Sequence, residues 1–226
     1  MNTLPDFSAI IFDMDGLVLD TETTYSIAWK KAAVEMGQVF SEAFCLSMSG
    51  LQGQDVARKL IEQCGSDFDL MRFGQLSGQY WRQYVNDKGI AVKKGFLALL
   101  HVLKSNKIPY CLATNSRMVN ALECLKLAGL DDVFSLIVSK DQVNQGKPAA
   151  DIFLFAANAL KVPVAECLVI EDSATGIQAA MNAVAPCVFI PSVLPYDAVA
   201  AQQADILLND LDELAEIVLS AYIHPV

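Results

Sequence analysis

Six short apolar runs recur along the chain, and they constrain its fold more than any other feature. They are "SAIIF" (8–12), "IPYCLA" (108–113), "SLIV" (135–138), "ECLVI" (166–170), "PCVFI" (186–190) and "ADILL" (204–208). The runs are continuously apolar rather than alternating, which is typical of strands buried on both faces of a parallel sheet. Longer stretches with helical spacing separate most of them. The pattern therefore predicts an α/β fold with a doubly wound parallel sheet.

One helical stretch illustrates the spacing. In "RMVNALECLKLAGL" (117–130), apolar residues recur at helical intervals and a glycine follows that suits a C-terminal cap. The apolar residues are Val119, Leu122, Leu125 and Leu127, and the capping glycine is Gly129.

The region from Thr21 to about Lys88 breaks the alternation, because it contains no convincing strand. Instead it carries three helical patterns, "TYSIAWKKAAVEMG", "GQDVARKLIEQCG" and "LMRFGQLSGQYWRQYV". A helical block after the first strand of an α/β chain indicates an inserted domain. We therefore expect an α/β core formed by residues 1–16 and 92–226, with an all-helical domain at residues 17–91.

Composition narrows the possible partners and location. The chain has 226 residues, 54% of them hydrophobic, and a net charge of −10, which disfavours nucleic acid and anionic membranes as partners. Its six cysteines are widely spread without a CxxC pair, which favours free thiols in a reducing compartment over zinc or disulfides. With no signal peptide and no apolar stretch of membrane-spanning length, we expect a cytoplasmic protein.

Carboxylates follow two of the predicted strands. Asp13 and Asp15 come directly after the first run, and Glu171 and Asp172 follow the run at 166–170. Ligands of open α/β sheets bind beyond the carboxyl ends of the strands, so these side chains lie where chemistry is expected. Such a group could hold a hard cation, or divide the roles of nucleophile and general acid. The alternative is a set of polar helix caps, which we favour for Asp20 and Glu22.

Two further polar clusters follow predicted strands. "LATNSR" places Thr114, Asn115 and Ser116 at a strand end, where hydroxyl and N–H groups suit an oxyanion such as phosphate. "NQGKPAADIF" contains Lys147, but it is not a phosphate-binding loop of the GxxxxGK[ST] type. Taken singly, the first cluster is better explained as a helix cap and the second as a solvated lysine. Their occurrence in order, each after a strand, favours a common site.

These clusters resemble the motifs of one family. "DMDGLVLDTE", "LATNS", "GKPAADIF" and "IEDSATGIQAA" are similar to the four successive motifs of the haloacid dehalogenase superfamily. The resemblance is to its phosphatase and β-phosphoglucomutase branch, which carries a helical cap after the first motif. It implies that Asp13 is a nucleophile forming an aspartyl-phosphate and that Asp15 is the general acid and base.

The same resemblance implies the remaining roles. Thr114 and Asn115 would bind the transferring phosphoryl group, with Ser116 beside them, and Lys147 would neutralise charge. Mg²⁺ would be held by Asp172, the Asp13 carboxylate and the backbone carbonyl of Asp15, with Glu171 contributing directly or through water. The implied activity is Mg²⁺-dependent hydrolysis of small phosphorylated metabolites, sugar phosphates first and nucleotides second, by a monomer.

Two alternatives stay open: a hexose-phosphate mutase of the β-phosphoglucomutase type, and a non-catalytic scaffold. The mutases carry a histidine where this chain has Tyr25, and an arginine where it has Gly53 in "SGLQGQD". A cap lysine of the mutases also has no clear counterpart, so we favour the phosphatase. Candidates for substrate contact are the loop at 50–53, which contains Gln52, and the aromatic residues Tyr25, Trp81 and Tyr84. Aromatic residues at helical spacing are more often core.

Overall fold

A single parallel sheet organises the α/β part of the molecule. The computed structural model describes residues 4–51 and 53–223, and within them six strands form one sheet. The strands are β1 (Ala9–Phe12), β2 (Tyr110–Thr114), β3 (Ile137–Ser139), β4 (Cys167–Glu171), β5 (Cys187–Phe189) and β6 (Ile206–Leu207). Each overlaps one of the six apolar runs and ends at most one residue beyond it, so the predicted sheet is confirmed.

Helices occupy the sequence between the strands. They are α1 (Thr21–Glu35), α2 (Glu42–Leu46), α3 (Gly53–Cys64), α4 (Leu70–Lys88), α5 (Phe96–Ser105), α6 (Met118–Leu127), α7 (Asp151–Leu160), α8 (Ala174–Ala183), α9 (Ala198–Gln203) and α10 (Leu211–Ile223). Of the five helices between β1 and β2, α1 to α4 lie in the segment predicted as a helical insertion. The chain separates into a sheet unit, residues 1–19 and 92–226, and a helical unit, residues 20–91.

The strand order places β1 and β4 at the point where the winding of the sheet reverses. The order is β3-β2-β1-β4-β5-β6, and every neighbouring pair is parallel. The chain first builds outward from β1 through β2 to β3, and then returns to add β4 on the opposite side. In open α/β sheets this reversal opens a crevice beyond the carboxyl ends of the two strands, where ligands bind.

Alternate residues of β1 point to opposite faces of the sheet. Ala9 and Ile11 belong to a fully buried cluster with residues of α7 and α8. Phe12 points to the opposite face, where its ring packs edge-on against Phe96, with ring centroids 5.6 Å apart, and against Phe134 at 6.1 Å. Burial on both faces explains why this strand carries apolar residues without alternation.

The helical unit has its own apolar core. Its buried members come from α1, α2, α3, α4 and the loop regions between them, and include Ala33, Phe40, Cys45, Leu60 and Phe73. The ends of α4 are fixed locally, because the Asp69 carboxylate accepts a hydrogen bond from the N–H of Arg72 at 2.9 Å, and Gly89 ends the helix with a positive φ of 70°.

The structure departs from the sequence prediction in two details. Helix α6 buries Leu125, but Val119 and Leu122 are 66% and 50% exposed, so half of the predicted apolar face points to solvent. The helix α2 was not predicted, because five residues are too few to display a helical period. No helix in the described part of the chain has both the length and the apolar character needed to cross a membrane.

One glycine of the sheet unit has no room for a side chain. Gly95, at the start of α5, has a φ of 86°, and a Cβ there would lie 2.1 Å from the backbone nitrogen of Asp212. We predict that Gly95→Ala lowers the free energy of unfolding by at least about 3 kcal/mol, since backbone must move in addition to the cost of positive φ.

The control is Gly129→Ala, where φ is 69° but a Cβ meets nothing within 4 Å. This variant isolates the backbone cost, about 1 to 2 kcal/mol. Chemical denaturation of both variants measures the difference. Equal losses would show that the close approach at Asp212 has no energetic consequence.

Candidate active site

Asp13 lies where the sheet reverses its winding, directly after β1. Its backbone N–H donates to the carbonyl of Ile170 at 3.0 Å, which extends the ladder between β1 and β4 by one residue. The carboxylate is therefore held at the strand end by the sheet itself. Only 7% of Asp13 is exposed. A carboxylate buried at this position requires a specific partner, because an unpaired buried charge is very costly.

Lys147 supplies that partner. Its ammonium group forms a buried ion pair and hydrogen bond with Asp13 and donates to the carbonyl of Ala113 at 2.8 Å. The nitrogen also lies 2.6 Å from Oε1 of Glu171 and 5.1 Å from the centre of the Phe153 ring. Lys147 is 3% exposed, so the solvated-lysine alternative is excluded for this residue.

Glu171 and Asp172 complete a cluster of carboxylates at the end of β4. One oxygen from each of Asp13, Glu171 and Asp172 lies within 4.8 Å of the others, and all three residues are buried. Oε2 of Glu171 accepts from the N–H of Asp172 and from the hydroxyl of Ser173, both at 3.2 Å. Oε1 of Glu171 has its ion pair with Lys147 but no aligned hydrogen-bond donor in the described chain.

The surroundings of Asp13 and Lys147 raise the pKa of both side chains. Burial raises the pKa of Asp13 well above its usual value, and the Glu171 and Asp15 carboxylates add to this rise despite the opposing effect of Lys147. Burial alone would lower the pKa of Lys147, but the carboxylates of Asp13 and Glu171 outweigh it and raise that pKa above its ordinary value. The site favours a charged lysine and resists a third negative charge.

The buried site has more carboxylates than ammonium groups, and this excess of negative charge fits a divalent cation. When fully ionised, the carboxylates of Asp13, Glu171 and Asp172 exceed the single ammonium of Lys147 by two negative charges. Oxygen ligands from one or two carboxylates are what Mg²⁺ usually takes from a protein. Oε1 of Glu171 lies 2.6 Å from the ammonium of Lys147, and a carboxylate oxygen can accept from a second group such as a cation or a water bound to it. The donor set and its charge therefore suit Mg²⁺.

Three glycines make the close packing of this cluster possible. A Cβ on Gly16 would lie 2.1 Å from Oδ2 of Asp172, and one on Gly176 would lie 1.8 to 2.1 Å from the carboxylate atoms of Glu171. A Cβ on Gly146 would lie 2.4 Å from Oδ1 of Asn115. Each distance is far below van der Waals contact, so any larger residue would displace a polar side chain of the site.

Asp15 faces the end of β2 instead of the carboxylate cluster. Its Oδ2 accepts from the hydroxyl of Ser116 at 2.8 Å and from that of Thr114 at 3.4 Å. The hydroxyl of Thr114 also accepts from the N–H of Ser116 at 2.9 Å. Two carboxylates only two residues apart thus have different surroundings, since Asp13 is paired with an ammonium and Asp15 with hydroxyls.

The side chain of Asn115 is engaged with the backbone of Lys147. Its Nδ2 donates to the Lys147 carbonyl at 3.0 Å, and its Oδ1 accepts from the Lys147 N–H at 2.8 Å. This pair of hydrogen bonds fixes the loop that carries the lysine. The side chain therefore positions Lys147.

The structure also locates the residues that were left as caps or substrate contacts. Asp20 is the N-cap of α1, where its carboxylate accepts from the N–H of Thr23 at 3.3 Å, and Glu22 lies in the first turn of that helix. Tyr25 and Trp81 stack with ring centroids 5.8 Å apart within the helical unit, and Tyr84 is half-buried. Gln52 lies outside the described residues.

Sequence reasoning missed several supporting groups. Ser173, which caps α8 by accepting from the N–H of Gly176 at 3.1 Å, also donates to Glu171, and the carbonyl of Ala113 binds Lys147. The clearance roles of Gly146 and Gly176 were likewise not predicted. A serine that follows an acidic pair and stands three residues before a glycine is a local signal for the role of Ser173. The glycine contacts carry no such signal, because they depend on how the chain packs.

The chain is similar over most of its length to one protein family. The family model of haloacid dehalogenase-like hydrolases matches residues 10–190, which includes every candidate site residue. A probable pseudouridine-5'-phosphatase of Drosophila melanogaster is 36% identical over 194 residues, covering 80% of each chain. A fructose-1-phosphate phosphatase of Escherichia coli is 32% identical over 179 residues, covering 78% of this chain and 93% of that one.

A solved structure gives the same result for the fold. A haloacid dehalogenase family hydrolase from Deinococcus radiodurans, determined with bound phosphate and sodium, superposes with a TM-score of 0.79. The match covers 94% of this chain and 97% of the other, with 25% sequence identity. The helical insertion is thus part of the shared fold.

The raised pKa of Asp13 gives a prediction for stability. The folded protein holds the Asp13 proton more tightly than the unfolded chain, so without metal the free energy of unfolding falls as the pH rises above about 4. Asp13→Asn removes the unfavourable charge. In a chelator, we expect its melting temperature to fall less than that of the wild type as the pH rises from about 5 to about 8. We also expect it to lose most of the rise in melting temperature that Mg²⁺ should give the wild type.

Asp131→Asn is the matched control, because Asp131 is exposed. This variant should melt like the wild type and keep the stabilisation by Mg²⁺. An undiminished Mg²⁺ effect in Asp13→Asn would mean that the cation binds elsewhere.

Proposed function

Since the chain belongs to the haloacid dehalogenase-like hydrolase family and is a phosphomonoester hydrolase, we propose that it hydrolyses small phosphorylated metabolites through an aspartyl-phosphate on Asp13. One observation carries the proposal. The carboxylate of Asp13 lies at the reversal point of the sheet, paired with buried Lys147 and within 4.8 Å of two further carboxylates. This arrangement supports the roles we propose: a nucleophile, a fixed positive charge and metal ligands close together beyond the ends of β1 and β4.

In the first step, an oxygen of Asp13 attacks phosphorus while the bond from phosphorus to the ester oxygen breaks. Asp15 donates its proton to the departing oxygen, so the metabolite leaves as an alcohol. The hydroxyls of Ser116 and Thr114, which donate to Asp15 in the resting site, hold its carboxyl group in position. The product of this step is a phosphate covalently bound to Asp13.

In the second step, Asp15 accepts a proton from a water molecule that attacks the same phosphorus. The bond between phosphorus and Asp13 breaks, inorganic phosphate leaves, and the Asp13 carboxylate is restored. Splitting the hydrolysis in this way replaces one difficult displacement by two easier ones.

Phosphate binding would fall to groups at the ends of β2 and before α7. The hydroxyl of Thr114, the backbone N–H of Asn115 and the ammonium of Lys147 would face the phosphoryl oxygens, with Ser116 beside them. Phosphoryl transfer depends mainly on positioning and on stabilising developing charge, so fixed donors of this kind are sufficient. The clamp of Asn115 on the Lys147 backbone would keep the ammonium aligned with Asp13.

Mg²⁺ is the cofactor we propose for this site. Asp13 and Asp172 would hold it with the backbone carbonyl of Asp15, and Glu171 would contribute directly or through water. When bound, the ion neutralises negative charge on the phosphoryl oxygens and on Asp13. The excess of two negative charges in the buried cluster supports a divalent rather than a monovalent ion.

The helical unit would act as the cap of the enzyme, and the substrates we propose are sugar phosphates above all. The Escherichia coli relative is named for fructose 1-phosphate and the Drosophila melanogaster relative for pseudouridine 5'-phosphate, and both names support a phosphorylated sugar. All six cysteines are free thiols, which supports the predicted cytoplasmic location. We propose that the chain acts as a monomer.

A mutase remains the second candidate, and two residues disfavour it. Tyr25 and Gly53 stand where the mutases of the branch carry histidine and arginine, so this chain lacks the charged groups that would retain a bisphosphate. The third candidate, a non-catalytic scaffold, is disfavoured because simple binding requires neither the buried Lys147 pair nor the carboxylate cluster.

Replacing Asp13 and replacing Asp15 should block different steps of the reaction. With 4-nitrophenyl phosphate, whose leaving group needs no proton, we expect Asp15→Asn to release about one equivalent of nitrophenolate per enzyme and then stall. With an alkyl phosphate the same variant should be slowed about 10² to 10⁴-fold. Asp13→Asn should give neither a burst nor turnover, because no covalent intermediate can form.

Rapid-mixing absorbance measurements resolve the burst, and Asp131→Asn again serves as the control that keeps wild-type turnover. A wild-type rate in Asp13→Asn would show that another group is the nucleophile.

The choice between phosphatase and mutase is tested by product analysis. We expect incubation with β-glucose 1-phosphate and a bisphosphate primer to give inorganic phosphate and glucose. Formation of glucose 6-phosphate as the main product would identify a mutase, and a lack of turnover across a broad panel of phosphate esters with Mg²⁺ would favour the scaffold.

A further inference from the structure

The aromatic ring of Phe153 lies beside the ammonium of Lys147. The nitrogen of Lys147 stands over the ring at 5.1 Å from its centre, within the distance of about 6 Å at which a ring face attracts a cation. Phe153 lies in the first turn of α7 and is fully buried, as is nearly all of the lysine. Water therefore does not weaken the attraction, and such contacts are strongest when they are desolvated.

Packing alone does not account for a ring at this position. Phe153 belongs to a core cluster made largely of small and aliphatic residues, among them Ile152, Ala156 and Val169, with a second aromatic residue, Phe189. An aliphatic residue could fill such a space, but it would present only apolar surface to the ammonium, which loses its hydration there without a return. The face of an aromatic ring carries negative potential and offsets part of that loss.

The ring differs from the oxygen contacts of the ammonium in one respect. Lys147 donates to Asp13 and, at 2.8 Å, to the carbonyl of Ala113, and its nitrogen lies 2.6 Å from Oε1 of Glu171. In the proposed reaction the carboxylate of Asp13 becomes an acyl phosphate, so this carboxyl group loses its own charge and attracts the ammonium less. The ring of Phe153 has no ionisable group, and its attraction is the same before and after phosphoryl transfer.

We propose that Phe153 is a positioning residue, whose ring face holds the ammonium of Lys147 in place while Asp13 gains and loses the phosphoryl group. The proposal rests on the proposed function, because it assigns the lysine a role in phosphoryl transfer. Phe153 acts through Lys147 and is not itself a catalytic residue.

Fluorination separates the charge distribution of the ring from its shape. At position 153 of the full chain, phenylalanine is replaced by its 4-fluoro, 3,5-difluoro and 3,4,5-trifluoro analogues, which weaken the negative potential of the face stepwise and change the volume little. We expect kcat/KM for 4-nitrophenyl phosphate to fall in that order, by at least about fivefold for the trifluoro ring, the effect of one desolvated cation–ring contact. Values that stay equal, or that do not follow the number of fluorines, would overturn the proposal.

Phe189 is the matched control. It is buried in the same cluster, and its ring packs edge-on against Tyr196 at a centroid distance of 6.4 Å. The same three analogues at position 189 should keep the wild-type kcat/KM. An equal fall at both positions would assign the effect to core packing and contradict the role of Phe153.

Stability gives a readout that does not depend on catalysis. Fluorine adds apolar surface, so a ring with a purely apolar role should be stabilised or unaffected. At position 153 we expect the opposite, a fall of at least about fivefold in the folding equilibrium constant for the trifluoro ring, measured by chemical denaturation in a chelator. A rise or no change would overturn the proposal. Absence of hydrolysis in the wild type, with this fall present, would instead count against the proposed function, whereas the contact between ring and ammonium would stand.

A comparison of two backgrounds shows whether the fluorine effect requires the lysine. Asp13→Asn and Lys147→Met together remove one negative and one positive charge, so the net charge of the buried cluster is unchanged. In this background the three analogues at position 153 should leave the folding equilibrium constant unchanged, because the ring no longer faces a cation. An equal fall in both backgrounds would show that the ring does not act through Lys147.

Discussion

The buried pairing of Lys147 with acidic side chains is the interaction on which the rest of the site depends. The ammonium contacts Asp13, Glu171 and the carbonyl of Ala113, and its exposure is almost zero. Neither sign of charge could be retained there alone, because an unpaired ion in a low-dielectric interior costs many kcal/mol. Residues contributed by distant segments therefore determine the ionisation of Asp13 and Lys147. An excess of carboxylates then remains, and it is this excess that makes the site suitable for a cation.

Close packing of these groups requires glycines, which have no side chain, as well as the polar residues themselves. Gly16, Gly146 and Gly176 each face a polar side chain of the site at a distance that excludes a Cβ. Three polar side chains at this edge of the sheet, those of Asp172, Asn115 and Glu171, are thus each matched by a glycine. The arrangement leaves little freedom for the carboxylates to separate, which is the condition for preorganised electrostatic stabilisation.

Much of this arrangement follows from the sequence by one geometric rule. Apolar runs predict parallel strands, the carboxyl ends of neighbouring strands meet, and polar residues that follow β1, β2 and β4 must then converge. The rule does not give the direction of individual side chains. It could not show that the Asn115 amide binds the Lys147 backbone, or that Asp15 faces hydroxyls, because these contacts join segments 32 and about 100 residues apart. The exposed face of α6 was missed because periodicity reports apolar spacing, not which neighbours are available.

Charged clusters and open volumes are encoded in different ways, which explains why the sequence indicates the first more directly. Phosphoryl transfer needs charged residues at fixed points of the sheet, and such residues stand out in a motif. The helical unit contains a cavity of about 340 Å³ between α1, α3 and α4, and this volume is defined instead by absent side chains at Gly74 and Gly78 and by aromatic residues such as Trp81, whose helical spacing is indistinguishable from that of core. Only the packed helices show that these aromatic rings border an open volume. An open volume therefore becomes visible only in the structure, whereas a charged cluster that follows strand ends is already indicated by the sequence.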